Sequence, residues 1–332
     1  MEPWVLGDLK LGPGEIGNGS LADIELADGT TVKVPVKVAR GAHEGPNFVV
    51  LASVHGTEVS GVATLINLFK EIDPGEMKGS LIGVMVANPF AFQIGAYITP
   101  FDHLNLAGPW IFPSEPGGTQ TQRLGAAIQK ALEIADLVVD LHANPLPSMP
   151  FVMVDMEENL QKGNVLNGVR KMANAYGTTV IEIPYIPGQP PTIRPRCTNQ
   201  GIPALTVELE GNVHITDHAC RSGKIGLLNI MKAFGIVGGE PEPQPVQKLA
   251  GKYRFMGRLR SNRGGLMFIR KQPGELIYQG ETVIEIVNVY GDIVETIPMP
   301  RTGYCWSFTG GVGGTHAVTE GGNLAYTFEA IA

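Results

Sequence analysis

The segment that most restricts this chain is residues 48–54, an apolar run that stops at His55. A strand so uniformly apolar is buried on both faces, and the sheets that bury both faces are parallel ones covered by helices. From residue 59 onward, Val59, Val62, Ala63, Ile66 and Phe69 recur at the spacing of one helix face. His55 is thus the first residue released at the carboxyl end of a strand, where open α/β sheets place their ligands. Glu58 falls in the first turn of the helix, and the strand-to-helix turn lets both side chains converge.

The same alternation continues along the chain. Segments 21–26 and 31–38 flank Asp28-Gly29, a hairpin signal. A strand over 80–87 is followed by a long loop over 88–118 and by a helix whose apolar face is Leu124, Ala127, Ile128, Ala131 and Leu132. Strands over 137–142, 151–154, 179–183 and 204–209 then alternate with helices over 160–176 and 225–234. The expected fold is α/β, a mostly parallel mixed sheet with helices on both faces. Gly238-Gly239-Glu240-Pro241-Glu242-Pro243-Gln244-Pro245 reads as a proline-rich linker. Beyond it the helical period is lost, and short alternating segments such as 281–287 and 292–297 lie between glycines. A chain of 332 residues suits one large or two unequal domains. The organisation expected is an α/β domain over 1–237, a linker over 238–248 and a small all-β domain over 249–332.

A second polar strand end supplies a partner for His55 and Glu58. The strand over 137–142 closes on Asp140-Leu141-His142 and runs into Ala143-Asn144-Pro145, where proline forbids continuation in the sheet. Asp140 and His142 share a face because strand side chains alternate. His55, Glu58 and His142 together read as a site for one Zn²⁺ per chain. Two imidazoles and a carboxylate suit zinc, and three protein ligands leave a fourth position for water, the arrangement of a catalytic site. Taken singly, each histidine would be a capping or packing residue and Glu58 a carboxylate set against the helix dipole. Their coincidence at strand ends outweighs that reading. His214 and His218 stand four apart, but no Glu follows His214 as His-Glu-x-x-His requires, so they read as a solvated helix start. His43, His103 and His316 lie in Gly- or Pro-rich loops with no assignable partner.

A zinc hydrolase needs a base beside the metal, and the strand over 204–209 ends in carboxylates. Glu208 and Glu210 share a strand face, so spacing does not choose between them. With 25 basic against 32 acidic residues, a net charge of -7 and no basic run, nucleic acid is not an expected partner. No apolar run approaches the ~20 residues of a membrane helix, and the first residues lack a signal pattern. A soluble, cytoplasmic protein is the expectation. Cys197, Cys220 and Cys305 are odd in number with no C-x-x-C pair, and read as reduced thiols.

The quoted segments resemble the succinylglutamate desuccinylase/aspartoacylase family, relatives of the zinc carboxypeptidases. The resemblance is carried by His55-Gly56-Thr57-Glu58-Val59-Ser60-Gly61, Ala87-Asn88-Pro89-Phe90-Ala91-Phe92 and Pro100-Phe101-Asp102-His103-Leu104-Asn105-Leu106. It continues through Asp136-Leu137-Val138-Val139-Asp140-Leu141-His142 and Gly201-Ile202-Pro203-Ala204 into Val207-Glu208-Leu209. These pieces span most of 47–212 in the family's order, and the β segment after 249 is similar to its barrel-sandwich-like C-terminal domain. The resemblance implies zinc on His55, Glu58 and His142, with Glu208 as the water-activating base and proton shuttle.

The chain departs from the family where substrate is held. Tyr97 stands where an arginine is usual, and Ala107-Gly108 replaces an Asn-Arg pair. Arg194 and Arg196, in a loop ahead of the Glu208 strand, are the candidates to supply the missing charge, with Arg123 a weaker one inside a helix. Tyr97 and Asn105 complete the candidate substrate residues, Asp140 supports His142, and Trp110 and Phe112 suggest an apolar pocket. The implied function is zinc-dependent hydrolysis of an amide bond in a small N-acyl amino acid or related N-acyl compound. A carboxypeptidase-like peptidase using the same site is one alternative, and a catalytically silent small-molecule-binding homologue is another. The partners expected are a small-molecule substrate, no nucleic acid and no membrane, with homo-oligomerisation left open.

Overall fold

The computed structural model describes residues 4–108, 111, 117–160, 163–184, 191–309 and 315–331. The chain begins with β1 (Trp4–Leu6), β2 (Leu9–Leu11), β3 (Glu15–Glu25), β4 (Thr31–Arg40), β5 (His43–Ala52), α1 (Val59–Phe69) and β6 (Lys78–Val84). It continues through α2 (Pro89–Ile94), α3 (Gln120–Leu132), β7 (Leu137–Asn144), β8 (Phe151–Asp155), α4 (Asn164–Tyr176), β9 (Thr179–Ile183), α5 (Ile193–Asn199), β10 (Ala204–Glu210) and α6 (Asp217–Ala233). The remainder is β11 (Lys252–Arg260), β12 (Gly265–Ile269), β13 (Leu276–Ile277), β14 (Thr282–Val287), β15 (Ile293–Pro298), β16 (Gly303–Phe308), β17 (Ala317–Val318) and β18 (Asn323–Ile331).

One mixed sheet of twelve strands, in the order β13-β16-β18-β11-β9-β8-β10-β7-β5-β6-β4-β3, carries the site. Its centre, β10, β7, β5 and β6, is parallel, while β4 and β8 attach antiparallel on either side. The apolar run at 48–54 feeds two cores at once. Phe48, Val50 and Ala52 pack with Leu65, Leu68, Met172, Leu227 and Ile230 from α1, α4 and α6. Val49, Leu51 and Val54 pack on the other face with Leu124, Ala127, Ile128 and Leu132 of α3. Each large side chain so buried stabilises the fold by about 1.5–3 kcal/mol, and both sets hold the strand end in place.

Several elements differ from expectation. The segment over 88–118, read as loop, contains α2. Its signals are local: the Asn88 side chain accepts from Ala91 N at 3.1 Å, Pro89 opens the helix, and Gly95 closes it at φ 62°. α6 starts earlier than the apolar period suggested, because Thr216 caps it by accepting from Ala219 N at 3.0 Å. α5 occupies residues read as loop.

Among the described residues beyond 238 every regular element is a strand, with β15-β14-β12-β17 forming a separate four-stranded sheet. β11 pairs parallel with β9 through Tyr253↔Ile181 and Arg254↔Glu182, so the large sheet runs on into the C-terminal strands. Phe151, Ile181, Tyr253, Trp306 and Phe328 pack together across that junction. The proline-rich segment has no regular structure but is pinned to the helices. Glu242 exchanges backbone hydrogen bonds with the Asn229 amide at 2.7 and 2.8 Å, and Gln244 donates to Tyr176 O at 2.6 Å. Among the described residues, no helix is long and apolar enough to cross a membrane.

Candidate metal centre

β5 ends at Ala52, and Ser53, at φ 53°, turns the chain out of the sheet to deliver His55. Gly56 is required here for space: a Cβ on it would lie 2.2 Å from the backbone carbonyl carbon of Ala91 in α2. Glu58 is the N-cap residue of α1 but makes no capping bond with its side chain. The carboxylate is instead shared by two imidazoles. Its Oε1 is 2.8 Å from His55 Nδ1 and its Oε2 is 2.9 Å from His142 Nδ1, with the two Nδ1 atoms 3.1 Å apart. All three residues are buried, and their donor atoms lie within 4.8 Å of one another.

The far nitrogens of both rings are engaged. His55 Nε2 meets Asn105 Oδ1 at 3.1 Å, and His142 Nε2 meets Asp140 Oδ2 at 3.1 Å. An acceptor on each Nε2 keeps a proton there and turns both Nδ1 atoms toward Glu58, a donor set that, with Nδ1 deprotonated, fits a divalent ion. Burial disfavours charge on His142, yet Asp140 and Glu58 outweigh it and hold the imidazole well above its ordinary value. Burial likewise works against a charged Glu58, but the two histidines bring its carboxyl down to about 2.

Glu208 arrives on β10 in register with His142 on β7, and accepts from Asn144 Nδ2 at 2.9 Å. Burial pushes its carboxyl up to about 8; the opposing pull of His142 is countered by Glu58 and Asp140. Glu210 is occupied elsewhere, 2.8 Å from His218 Nδ1 and 3.3 Å from Thr216 Oγ1. His218 therefore serves a helix start, as its sequence context suggested.

The expected substrate residues are placed unevenly. Tyr97 stacks on His55 with centroids 3.8 Å apart and planes at 17°. Asn105 spends its amide oxygen on His55 and on Ala107 N at 2.8 Å. The loop position expected for Arg194 is corrected: it lies on α5, only 7% exposed, and pairs with Asp155 at 3.0 Å. Its charge is turned into the protein. Arg196 is half-buried on the same helix, Arg123 Nε donates to Gly118 O at 3.0 Å, and Trp110 and Phe112 lie outside the described residues. Asn144 and Gly56 were not singled out from sequence. Asn144 could have been, because strand alternation puts it on the face of Asp140 and His142.

The family model of the succinylglutamate desuccinylase/aspartoacylase catalytic domain matches residues 44–234. A comparison with curated proteins finds no match. Among solved structures, the product-bound ectoine utilization protein EutE (DoeB) from Ruegeria pomeroyi is similar at a TM-score of 0.84 and 21% identity, over 99% of this chain and 98% of that one. A succinylglutamate desuccinylase from Silicibacter sp. TM1040 gives 0.83 at 22% identity, over 99% and 98% of the two chains. A succinylglutamate desuccinylase/aspartoacylase from Rhodobacter sphaeroides gives 0.80 at 25% identity, over 96% of each.

Proposed function

This chain belongs to the succinylglutamate desuccinylase/aspartoacylase family, and from that premise we propose that it is a zinc-dependent hydrolase of an amide bond in a small N-acyl amino acid or related compound. One observation carries the reading: His55 Nδ1, His142 Nδ1 and the Glu58 carboxylate converge while Asn105 and Asp140 hold the rings from behind. The nitrogen, nitrogen and oxygen donor set favours zinc among divalent ions. Held by these three residues, the ion supplies Lewis acidity toward a carbonyl oxygen and acidifies water.

The remaining chemistry falls to side chains of the protein. Glu208, steadied by Asn144, takes a proton from the attacking water and returns it to the leaving amine nitrogen. Tyr97 gives the site an aromatic wall against His55 where a cation would otherwise stand. We place the protein in the cytoplasm, where its buried Cys197, Cys220 and Cys305 stay reduced.

The test is turnover by the zinc-loaded protein of a panel of N-acyl amino acids beside peptides with a free carboxyl terminus. Hydrolysis of the former, lost on chelation and restored by zinc, is expected. Faster cleavage of the peptides would make it a peptidase, and no turnover of either would make it a binding protein.

A further inference from the structure

We propose that Arg258, laid on the ring of Tyr326, binds a single carboxylate of the substrate, so that N-acyl amino acids carrying one anion are the class accepted; this rests on the hydrolase reading above. Arg258 lies on β11, just after an irregularity in the β11–β18 register between Phe255 and Gly257. Gly257 takes φ +137°, a conformation side chains rarely adopt, and such bulges re-aim the side chains beside them. Arg258 pairs in register with Tyr326 and sets its guanidinium 5.0 Å from that ring's centroid.

Tyr326 belongs to the aromatic packing that reaches the strand neighbour of Glu208. It shares a face of β18 with Phe328, whose ring lies 5.9 Å from Phe151, and Phe151 is the register partner of Glu208 in the β8–β10 pair. Burial is the largest influence on the Tyr326 phenol and raises it; the charges of Arg258, Glu208, Glu58 and His142 are felt there too. Arg254 on β11 lies 3.8 Å from Glu182, whereas Arg258 has no carboxylate partner among the described residues. A guanidinium resting on an aromatic face keeps its fork of N–H donors free for a carboxylate. With Arg194 turned to Asp155, no second cation from α5 is offered by that residue, and one anion is the match.

The experiment uses the zinc-loaded full chain with N-acetyl-L-leucine and N-acetyl-L-leucinamide, measuring calorimetric binding and hydrolysis of each. Wild type is expected to prefer the acid. Arg258→Met should raise Kd and KM for the acid by about tenfold to a hundredfold, the scale of a lost charge-assisted contact, with kcat little changed and the amide unaffected. Arg258→Lys should recover part of the preference, and Arg260→Met, which removes an exposed charge from the same strand, should leave it unchanged. An unaltered acid-to-amide ratio in Arg258→Met, or no preference in wild type, overturns the assignment. Hydrolysis without Arg258 dependence sinks this inference alone, whereas Arg258-dependent binding without hydrolysis upholds it and sinks the wider reading.

Discussion

Glu208 lies directly beside His142, its register partner across the parallel β7–β10 pair. The spacing between the proposed proton carrier and a proposed metal ligand is therefore set by a backbone ladder rather than by a loop. Glu208→Gln keeps shape and a carbonyl for Asn144 but cannot take up a proton. Zinc should stay bound while kcat falls by roughly 10² or more, the scale of a lost general base. Glu210→Gln should leave kcat near wild type, since that carboxylate faces His218. The reverse pattern would reassign the base.

Removing one of the three proposed ligands should empty the site without unfolding the chain. His142→Ala leaves two protein donors, and purified variant should lose most of its zinc at an unchanged circular dichroism spectrum. Zinc content equal to wild type by elemental analysis would show that His142 is no ligand.

The residues behind the imidazoles should matter almost as much. Asp140→Ala and Asn105→Ala each free an Nε2 and the ring it orients, and should weaken zinc binding by about 10- to 100-fold. Competition against a chromophoric chelator measures this, and unchanged affinity in both variants would refute an orienting role.

Zinc uptake should release a proton. His142 is held protonated well above its ordinary range by Asp140 and Glu58, and only the neutral ring can ligate. Because the pKa is raised, affinity should climb as pH rises through it and fall as pH drops. Calorimetry at pH 7 in two buffers of different ionisation enthalpy gives the proton count. A count of zero would contradict the ordering of charges around His142.

Gly56→Ala should disturb both stability and metal binding. The added methyl group meets the backbone of Ala91 and Phe92, which cannot swing aside as a side chain would. A loss of about 1–3 kcal/mol by denaturant titration is expected, the usual cost of overpacking, together with weaker zinc binding through the displaced His55. Wild-type values for both would mean that α2 yields freely.

His55, Glu58 and His142 were legible because each sits where an apolar strand gives way, and strand ends are written locally in sequence. Arg194 was misplaced for an equally local reason. The helix α5 begins at Ile193 and carries Pro195 in a first turn whose N–H groups need no helical partner, so a proline there does not prevent it. Ser53 was absorbed into the strand, since a positive φ on a serine leaves no mark in the residue pattern. Arg258 and Tyr326 carried no signal at all. Their approach depends on β11 pairing with β18, and the joining of these strands to the large sheet depends on β11 finding β9; both are pairings of segments far apart in sequence, and β propensity names strands without naming neighbours.

That pairing of β11 with β9 has a consequence for how the chain can be divided. A protein cut before β11 would leave β9 with a free row of peptide groups beside an uncovered Ile181 and Phe151, a template on which another copy could add its own strand. Truncation should therefore yield self-association rather than a smaller working enzyme. Exchange of the whole C-terminal segment with a relative would have to conserve the edge that shields β9 before it could alter what the site selects. Variation in this molecule is freer one side chain at a time than one module at a time.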